Sequence, residues 1–275
     1  MTAPEASATG TPGALPIGVF DSGLGGLTVL RSLIDLLPDE PVLYFGDTGR
    51  FPYGPKPAEE VRAYALEIGD LLVERGSRLV VVACNSAAAA ALDCLRERLP
   101  VPVIGVVEPG VVSAVQATRN GRIGVIGTVG TIASGAYQRA AHAIDPGLDL
   151  TCVACPGFVE FVEAGDVDSQ EIRSLAASLL APLQESDVDT LVLGCTHYPL
   201  LARTIGAVMG REVVLVSSAD ETAFAVRALI GGSHPRPPHP APHSFITSGD
   251  VATFRRLGAR FLGPEVADVE AWSWS

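Results

Sequence analysis

Lysine is almost missing from this chain: Lys56 is the only one among 275 residues. Enzymes that work through pyridoxal phosphate need a lysine for the Schiff base. Lys56 sits in Pro52-Tyr53-Gly54-Pro55-Lys56-Pro57, a turn-like stretch that is a poor place to bury such a group. Basic charge is short overall, with 19 Lys and Arg against 31 Asp and Glu and a net charge of −12. That balance denies the chain the basic footprint of a general nucleic-acid binder. It also means that an acidic ligand must be held by local donors rather than by long-range attraction. No apolar run reaches the ~18 uncharged residues of a membrane span, so no membrane partner is expected. Residues 1–15 lack both the basic start and the apolar stretch of a signal peptide, and read as a disordered leader. Five cysteines without a secretory signal point to reduced cytosolic thiols rather than a disulfide framework.

What the chain does have is apolar content of 48% with a mean hydropathy of +0.33, enough for a substantial core. Short Val/Ile/Leu runs alternate with longer helical patterns, which predicts an α/β protein with parallel sheets. Strands are expected near 17–20, 42–45, 79–83, 102–107, 122–126, 150–154, 190–193, 213–217 and 244–247. Helices fit 25–37, 57–75, 86–98, 109–119, 132–144, 170–185, 197–209, 219–231 and 250–262. A faint internal repeat runs through this order. Ile17-Gly18-Val19-Phe20-Asp21-Ser22-Gly23 resembles Ile123-Gly124-Val125-Ile126-Gly127-Thr128, an offset of 106 residues. Cys84 in Val81-Val82-Ala83-Cys84-Asn85-Ser86 is matched by Cys195 in Val192-Leu193-Gly194-Cys195-Thr196-His197, an offset of 111. Two features at nearly one spacing predict two pseudo-symmetric α/β domains facing a central cleft. The expected division is 16–107 plus 218–275 against 108–217. Both cysteines would then lie at the C-terminal strand ends, where α/β proteins bind ligands.

A thiol has an ordinary pKa of ~8.5, and a helix N-terminus lowers it by supplying free N–H groups and the positive end of a dipole. Cys84 and Cys195 are both expected at such positions. One thiolate and one thiol on opposite faces of a small molecule can remove a proton from one side and deliver one to the other, which inverts a stereocentre. Each cysteine alone reads as a buried small hydrophobe, the usual fate of cysteine; the matched pair favours chemistry. Asp21, at the head of Asp21-Ser22-Gly23-Leu24-Gly25-Gly26, and His197 can each assist a thiol or a substrate amine. Their plainer alternatives are a helix N-cap and a polar helix start.

Three other signals carry less. Gly23, Gly25 and Gly26 hint at a dinucleotide fingerprint, but its third glycine would fall at Thr28. Cys152 and Cys155 form a C-x-x-C without a second ligand pair at metal spacing, and read as structural. His234 and His239 lie within a Pro-rich stretch, 231–242, with His243 directly after it, and the three read as solvated loop residues rather than metal ligands.

The ordered anchors Phe20-Asp21-Ser22-Gly23-Leu24-Gly25-Gly26, Tyr44-Phe45-Gly46-Asp47 and Pro52-Tyr53-Gly54-Pro55-Lys56 open a longer series. Ala83-Cys84-Asn85-Ser86, Cys155-Pro156-Gly157-Phe158-Val159, Val162-Glu163-Ala164-Gly165, Gly194-Cys195-Thr196-His197-Tyr198-Pro199 and Thr247-Ser248-Gly249-Asp250 complete it. From Pro16 to Gly263 the chain resembles the glutamate racemases, cofactor-independent members of the aspartate/glutamate racemase superfamily. The resemblance implies that Cys84 and Cys195 are the two acid/base groups, with Asp21 and His197 tuning proton transfer and Glu163 in support. It implies that glutamate is held by Asp21, Ser22, Tyr53, Gly54, Asn85, Ser86, Thr196 and His197, with no cofactor and no metal. D-Glutamate for peptidoglycan synthesis in a bacterial cytoplasm follows from the same resemblance, and family members vary in forming homodimers. An aspartate or other amino-acid racemase is the alternative. Three departures stand out: Ser86 where threonine is usual, Gly157 where a bulkier residue is common, and the His/Pro-rich 231–242 stretch.

Overall fold

Two parallel sheets with matching strand orders organise the computed structural model, which describes residues 15–231, 242–266 and 268–274. The proposed leader (1–14 of it), His234 and His239 lie outside the described residues. The first sheet takes β1 (Ile17–Asp21), β2 (Val42–Gly46), β3 (Leu79–Val82) and β4 (Val103–Gly105) from the start of the chain. It also takes β9 (His243–Thr247) and β10 (Val269–Ala271) from the end, in the order β10-β9-β2-β1-β3-β4. The second takes β5 (Arg122–Gly127), β6 (Asp149–Ala154), β7 (Thr190–Gly194) and β8 (Val214–Val216), in the order β6-β5-β7-β8. The run β2-β1-β3-β4 therefore repeats as β6-β5-β7-β8. That is the pseudo-symmetry which the 106- and 111-residue offsets predict.

Burial on both faces explains the uninterrupted apolar strands: β1, β2, β3 and β7 are buried at every residue. Helices α1 (Leu27–Leu36), α2 (Ala58–Glu74) and α3 (Asn85–Arg98) connect the first strands. Ala87–Ala91 gives α3 strong helical propensity, and Arg96 and Arg98 sit in its last turn, where they complement the dipole. Helix α4 (Val107–Ala117) leads into the second sheet, and α10 (Ala219–Ile230) leads out of it; α10 packs on both α1 and α4. One apolar core thus runs from the first sheet through this helix pair to Ile123, Val125 and Val192. A second cluster fills the other face of the second sheet, around Phe158, Leu180, Leu191 and Tyr198. Among the described residues no helix is long and apolar enough to cross a membrane.

Several elements differ from expectation. The helix expected at 132–144 is two, α5 (Val129–Ala133) and α6 (Ala136–Ile144), broken where Gly135 takes φ +69°. The helix expected at 197–209 begins as a short 3-10 turn, Tyr198–Leu201, with Pro199 in its first turn, where the missing N–H forfeits no bond; α9 proper is Ala202–Met209. Helix α7 (Phe158–Ala164) was not anticipated: it has only 7 residues, bounded by Gly157 and Gly165, both with positive φ. Gly157 takes φ +92°, a conformation in which a side chain would be strained. Helices α8 (Gln170–Glu185) and α11 (Val251–Phe261) fall where the sequence places them. His243 is not a solvated loop residue: it opens β9 and is half-buried. Among the described residues no group of three metal-ligating side chains occurs.

Candidate active site

The C-terminal ends of β1 and β3, and of β5 and β7, converge on one cleft with about 630 Å³ of empty volume, partly open to solvent. Register brings them there: Phe20 pairs with Val82 and Gly127 with Gly194, so Cys84 and Cys195 leave their sheets at equivalent points. Both thiols line the cleft and both are nearly buried, at 5% and 7% exposure. Ser22, Tyr53, Gly54, Asn85, Ser86, Thr196 and His197 line it too, so all but two of the residues expected from the sequence meet there.

The exceptions are Asp21 and Glu163, which stand behind the wall. Asp21 is wholly buried, accepting from the Gly23 N–H at 3.0 Å and the Thr196 hydroxyl at 3.4 Å. It caps this turn rather than helix α1. Burial pushes its carboxyl above the ordinary value, against the opposing pull of His197. The tight turn behind it needs glycine for space: a Cβ on Gly25 would lie 2.3 Å from the Thr196 hydroxyl and 2.6 Å from His197 Nδ1. The glycines that hint at a dinucleotide site therefore let the second half of the molecule press against the first.

Glu163, at the end of α7, pairs with His197 Nε2 at 2.7 Å. His197 Nδ1 lies 4.0 Å from Cys195 Sγ, and its ring is flanked by Phe51 and Phe261. Burial alone would push this imidazole down. Hydrogen bonds to Cys195 and Glu163, with the charges of Cys195 and Asp21, outweigh it and raise His197 to about 10. His197 is thus a buried cation rather than a polar helix start. Cys195 precedes only the 3-10 turn, and the ring against its thiol is this imidazole.

Cys84 departs from expectation in the other direction. It does N-cap α3, and its thiol lies 3.6 Å from the Ser22 hydroxyl. Yet burial and the Asp21 charge push it up to about 12, overriding the N–H of Ala87. The two thiols are matched in the fold and opposite in environment: one beside a buried carboxylate, the other beside a buried imidazolium.

The cleft offers polar donors without a lysine or arginine among the described residues that line it. Asn85 accepts from the Tyr137 hydroxyl at 2.7 Å through Oδ1, which leaves its Nδ2 buried and unpartnered. Tyr53 gives its own hydroxyl to Asp47, so it offers the cleft its ring and backbone. The Gly54 carbonyl accepts from the Gly130 N–H at 3.0 Å, which ties the first half's loop to the second half. Ser86 Oγ lies 2.9 Å from Thr128 Oγ1 and 3.2 Å from Thr131 Oγ1.

Thr128, Glu160 and Phe51, not expected at the site from the sequence, also line the cleft, as does Cys155. One signal was available for Thr128, because the 106-residue offset carries Ser22 onto it. Cys155, read as structural, is a third thiol at the wall, pushed up to about 12 by burial and by Cys195.

Comparison with known proteins agrees with this geometry. Residues 17–226 match the family model described as Asp/Glu/Hydantoin racemase. A glutamate racemase of Acidothermus cellulolyticus is 56% identical over 258 residues, covering 93% of this chain and 98% of the relative. The glutamate racemase isoform RacE1 of Bacillus anthracis superposes with a TM-score of 0.88 at 40% identity, over 96% of this chain and 98% of that one. Glutamate racemase of Francisella tularensis, solved in complex with D-glutamate, gives 0.86 at 31% identity, over 94% and 97%. The chain belongs to the glutamate racemase family of Asp/Glu/hydantoin racemases.

Proposed function

We propose that this enzyme interconverts L- and D-glutamate with Cys84 and Cys195 as the two proton-transfer groups. The observation that carries the reading is the pair of thiols leaving equivalent strands of two pseudo-symmetric sheets into one cleft. From one enantiomer Cys195, beside the His197 imidazolium, takes the α-proton as thiolate, and Cys84 delivers a proton to the opposite face. From the other enantiomer the roles exchange. A proton held on Cys84 suits it as donor. As base it needs help, which the substrate ammonium supplies: a cation placed near Asp21 and Cys84 favours the thiolate. Asp21 and Glu163 act as positioning residues, through Thr196 and His197.

The carboxylates of glutamate are held by the free Asn85 amide N–H, by Ser22 and Thr196, and by the backbone of Tyr53 and Gly54. Preorganised donors in a cleft poor in water stabilise the carbanion that forms between the thiols. We read the enzyme as cytoplasmic and as a source of D-glutamate for bacterial peptidoglycan synthesis. We divide the chain into 16–107 with 218–275 against 108–217, the two halves whose strand ends meet at this cleft.

The test is circular dichroism of D-glutamate with purified protein under reducing conditions. Decay of the signal to zero supports the reading. A flat trace with glutamate and decay with D-aspartate transfers the mechanism to the alternative substrate, and flat traces with both overturn it. A second expectation concerns Tyr137, whose buried hydroxyl fixes which end of the Asn85 amide faces the cleft. Tyr137→Phe should raise the KM for glutamate by about tenfold, the worth of a buried hydrogen bond of ~1.4 kcal/mol, with kcat changed less. Steady-state racemisation kinetics read both.

A further inference from the structure

Asp47 is wholly buried and accepts four side-chain donors. Oδ2 takes Arg50 Nε at 2.7 Å and the Tyr53 hydroxyl; Oδ1 takes the Ser248 hydroxyl at 2.6 Å and Trp274 Nε1 at 3.0 Å. The first pair belongs to the loop between β2 and α2, whose residues Phe51 to Pro55 form one wall of the cleft. The second pair comes from chain about 200 residues later. Trp274 adds its ring to this junction: the Arg50 guanidinium lies between Trp274 and Tyr64, 4.0 Å from each ring centroid. The far side of the loop is thereby clamped. Trp274 also packs on Phe45, with ring centroids 5.4 Å apart. Strand β10 delivers it there, since the Trp272 N–H continues the pairing by donating to the Thr247 carbonyl at 2.8 Å.

We propose that Trp274 is a positioning residue for the racemase reaction, which holds the Asp47–Pro55 loop so that Tyr53 and Gly54 face the substrate. This rests on the reading of the cleft given above. Without Trp274, Asp47 loses one of its four donors and Arg50 loses one of its two flanking rings. Both are groups that fix the loop, and neither touches the thiols. Loss of Trp274 therefore weakens substrate binding more than it slows proton transfer.

The experiment measures kcat and KM for glutamate, with thermal unfolding, on the wild-type chain and on Trp274→Ala, Trp274→Phe and Trp272→Ala. Trp272 lies on the same segment and packs edge-on against Trp274, with ring centroids 5.9 Å apart, but it gives no hydrogen bond to Asp47, so it is the control for losing a packed ring while the Asp47 bond is kept. Trp274→Ala is expected to raise KM at least about tenfold with kcat changed less. Trp274→Phe, which keeps a ring against Arg50, should recover part of the loss, and Trp272→Ala should shift KM less than Trp274→Ala. A wild-type KM in Trp274→Ala overturns the proposal, and so does an equal KM rise in Trp272→Ala. If Trp274→Ala does not fold, a wild-type KM in Trp274→Phe overturns it. A wild-type chain that fails to racemise glutamate refutes the function itself, before any variant is compared.

Discussion

Cys84→Ser and Cys195→Ser are each expected to lower glutamate racemisation by about 10²- to 10⁴-fold, the usual contribution of a positioned acid or base. Serine keeps the size and the hydrogen-bonding capacity of cysteine, so the loss reports on proton transfer rather than on packing. Its hydroxyl ionises far less readily than a thiol, and in a cleft where burial already pushes Cys84 up to about 12 no alkoxide is accessible. The two enantiomers have equal free energies in water, so kcat/KM must be equal in both directions for every variant. The roles of the thiols therefore cannot be separated by comparing the two directions. Rates by circular dichroism, with thermal unfolding to show an intact fold, check the prediction. Near-wild-type rates in both variants would remove the thiols from the mechanism.

His197→Asn carries the second large effect. Its imidazolium bridges Glu163 and Cys195, and a hydrogen bond involving a charged group contributes ~1.5–3 kcal/mol, so kcat/KM should fall by roughly 10- to 100-fold. A pH signature accompanies it. In the folded protein His197 keeps its proton up to about 10, whereas an unfolded imidazole releases it near the ordinary 6.5. Below 6.5 both states are protonated, and the charged pairing contributes in full. As pH rises towards 10 the unfolded state sheds its proton first, and that contribution is lost. The gap in urea midpoint between wild type and His197→Asn should therefore be widest near pH 6 and narrow steadily towards pH 10. A gap that is constant with pH, or that widens, contradicts the buried imidazolium.

Much of this architecture can be read from local pattern. Buried parallel strands are uninterrupted apolar runs, so β1, β3, β5 and β7 stand out in the chain. The repeat offsets survive because each half preserves its strand order around the same two turns. What stays hidden depends on distant partners. Strand β10 has 3 residues and no periodicity of its own; it exists because β9 offers an edge. Asp47 looks like an ordinary loop acid until Ser248 and Trp274 arrive from the other end of the chain.

The thiols show the same limit. Strand ends and following polar residues locate Cys84 and Cys195 correctly, but the electrostatics come from elsewhere. A helix N-terminus argues for a lowered Cys84, and the depth of the site together with Asp21 reverses it. His197 appears two residues after Cys195, yet besides Cys195 itself its charge is supported by Glu163, which lies 34 residues earlier in the chain.

The most direct test of the two-thiol account is deuterium entry at the α-carbon in heavy water, followed by proton NMR on each glutamate enantiomer separately. Wild type should wash deuterium into both. Cys84→Ser should exchange the α-proton of only the enantiomer that faces Cys195, without inverting it, and Cys195→Ser should exchange only the other. Exchange of both enantiomers by both variants, or of the same enantiomer by each, would contradict the assignment of one thiol to each face.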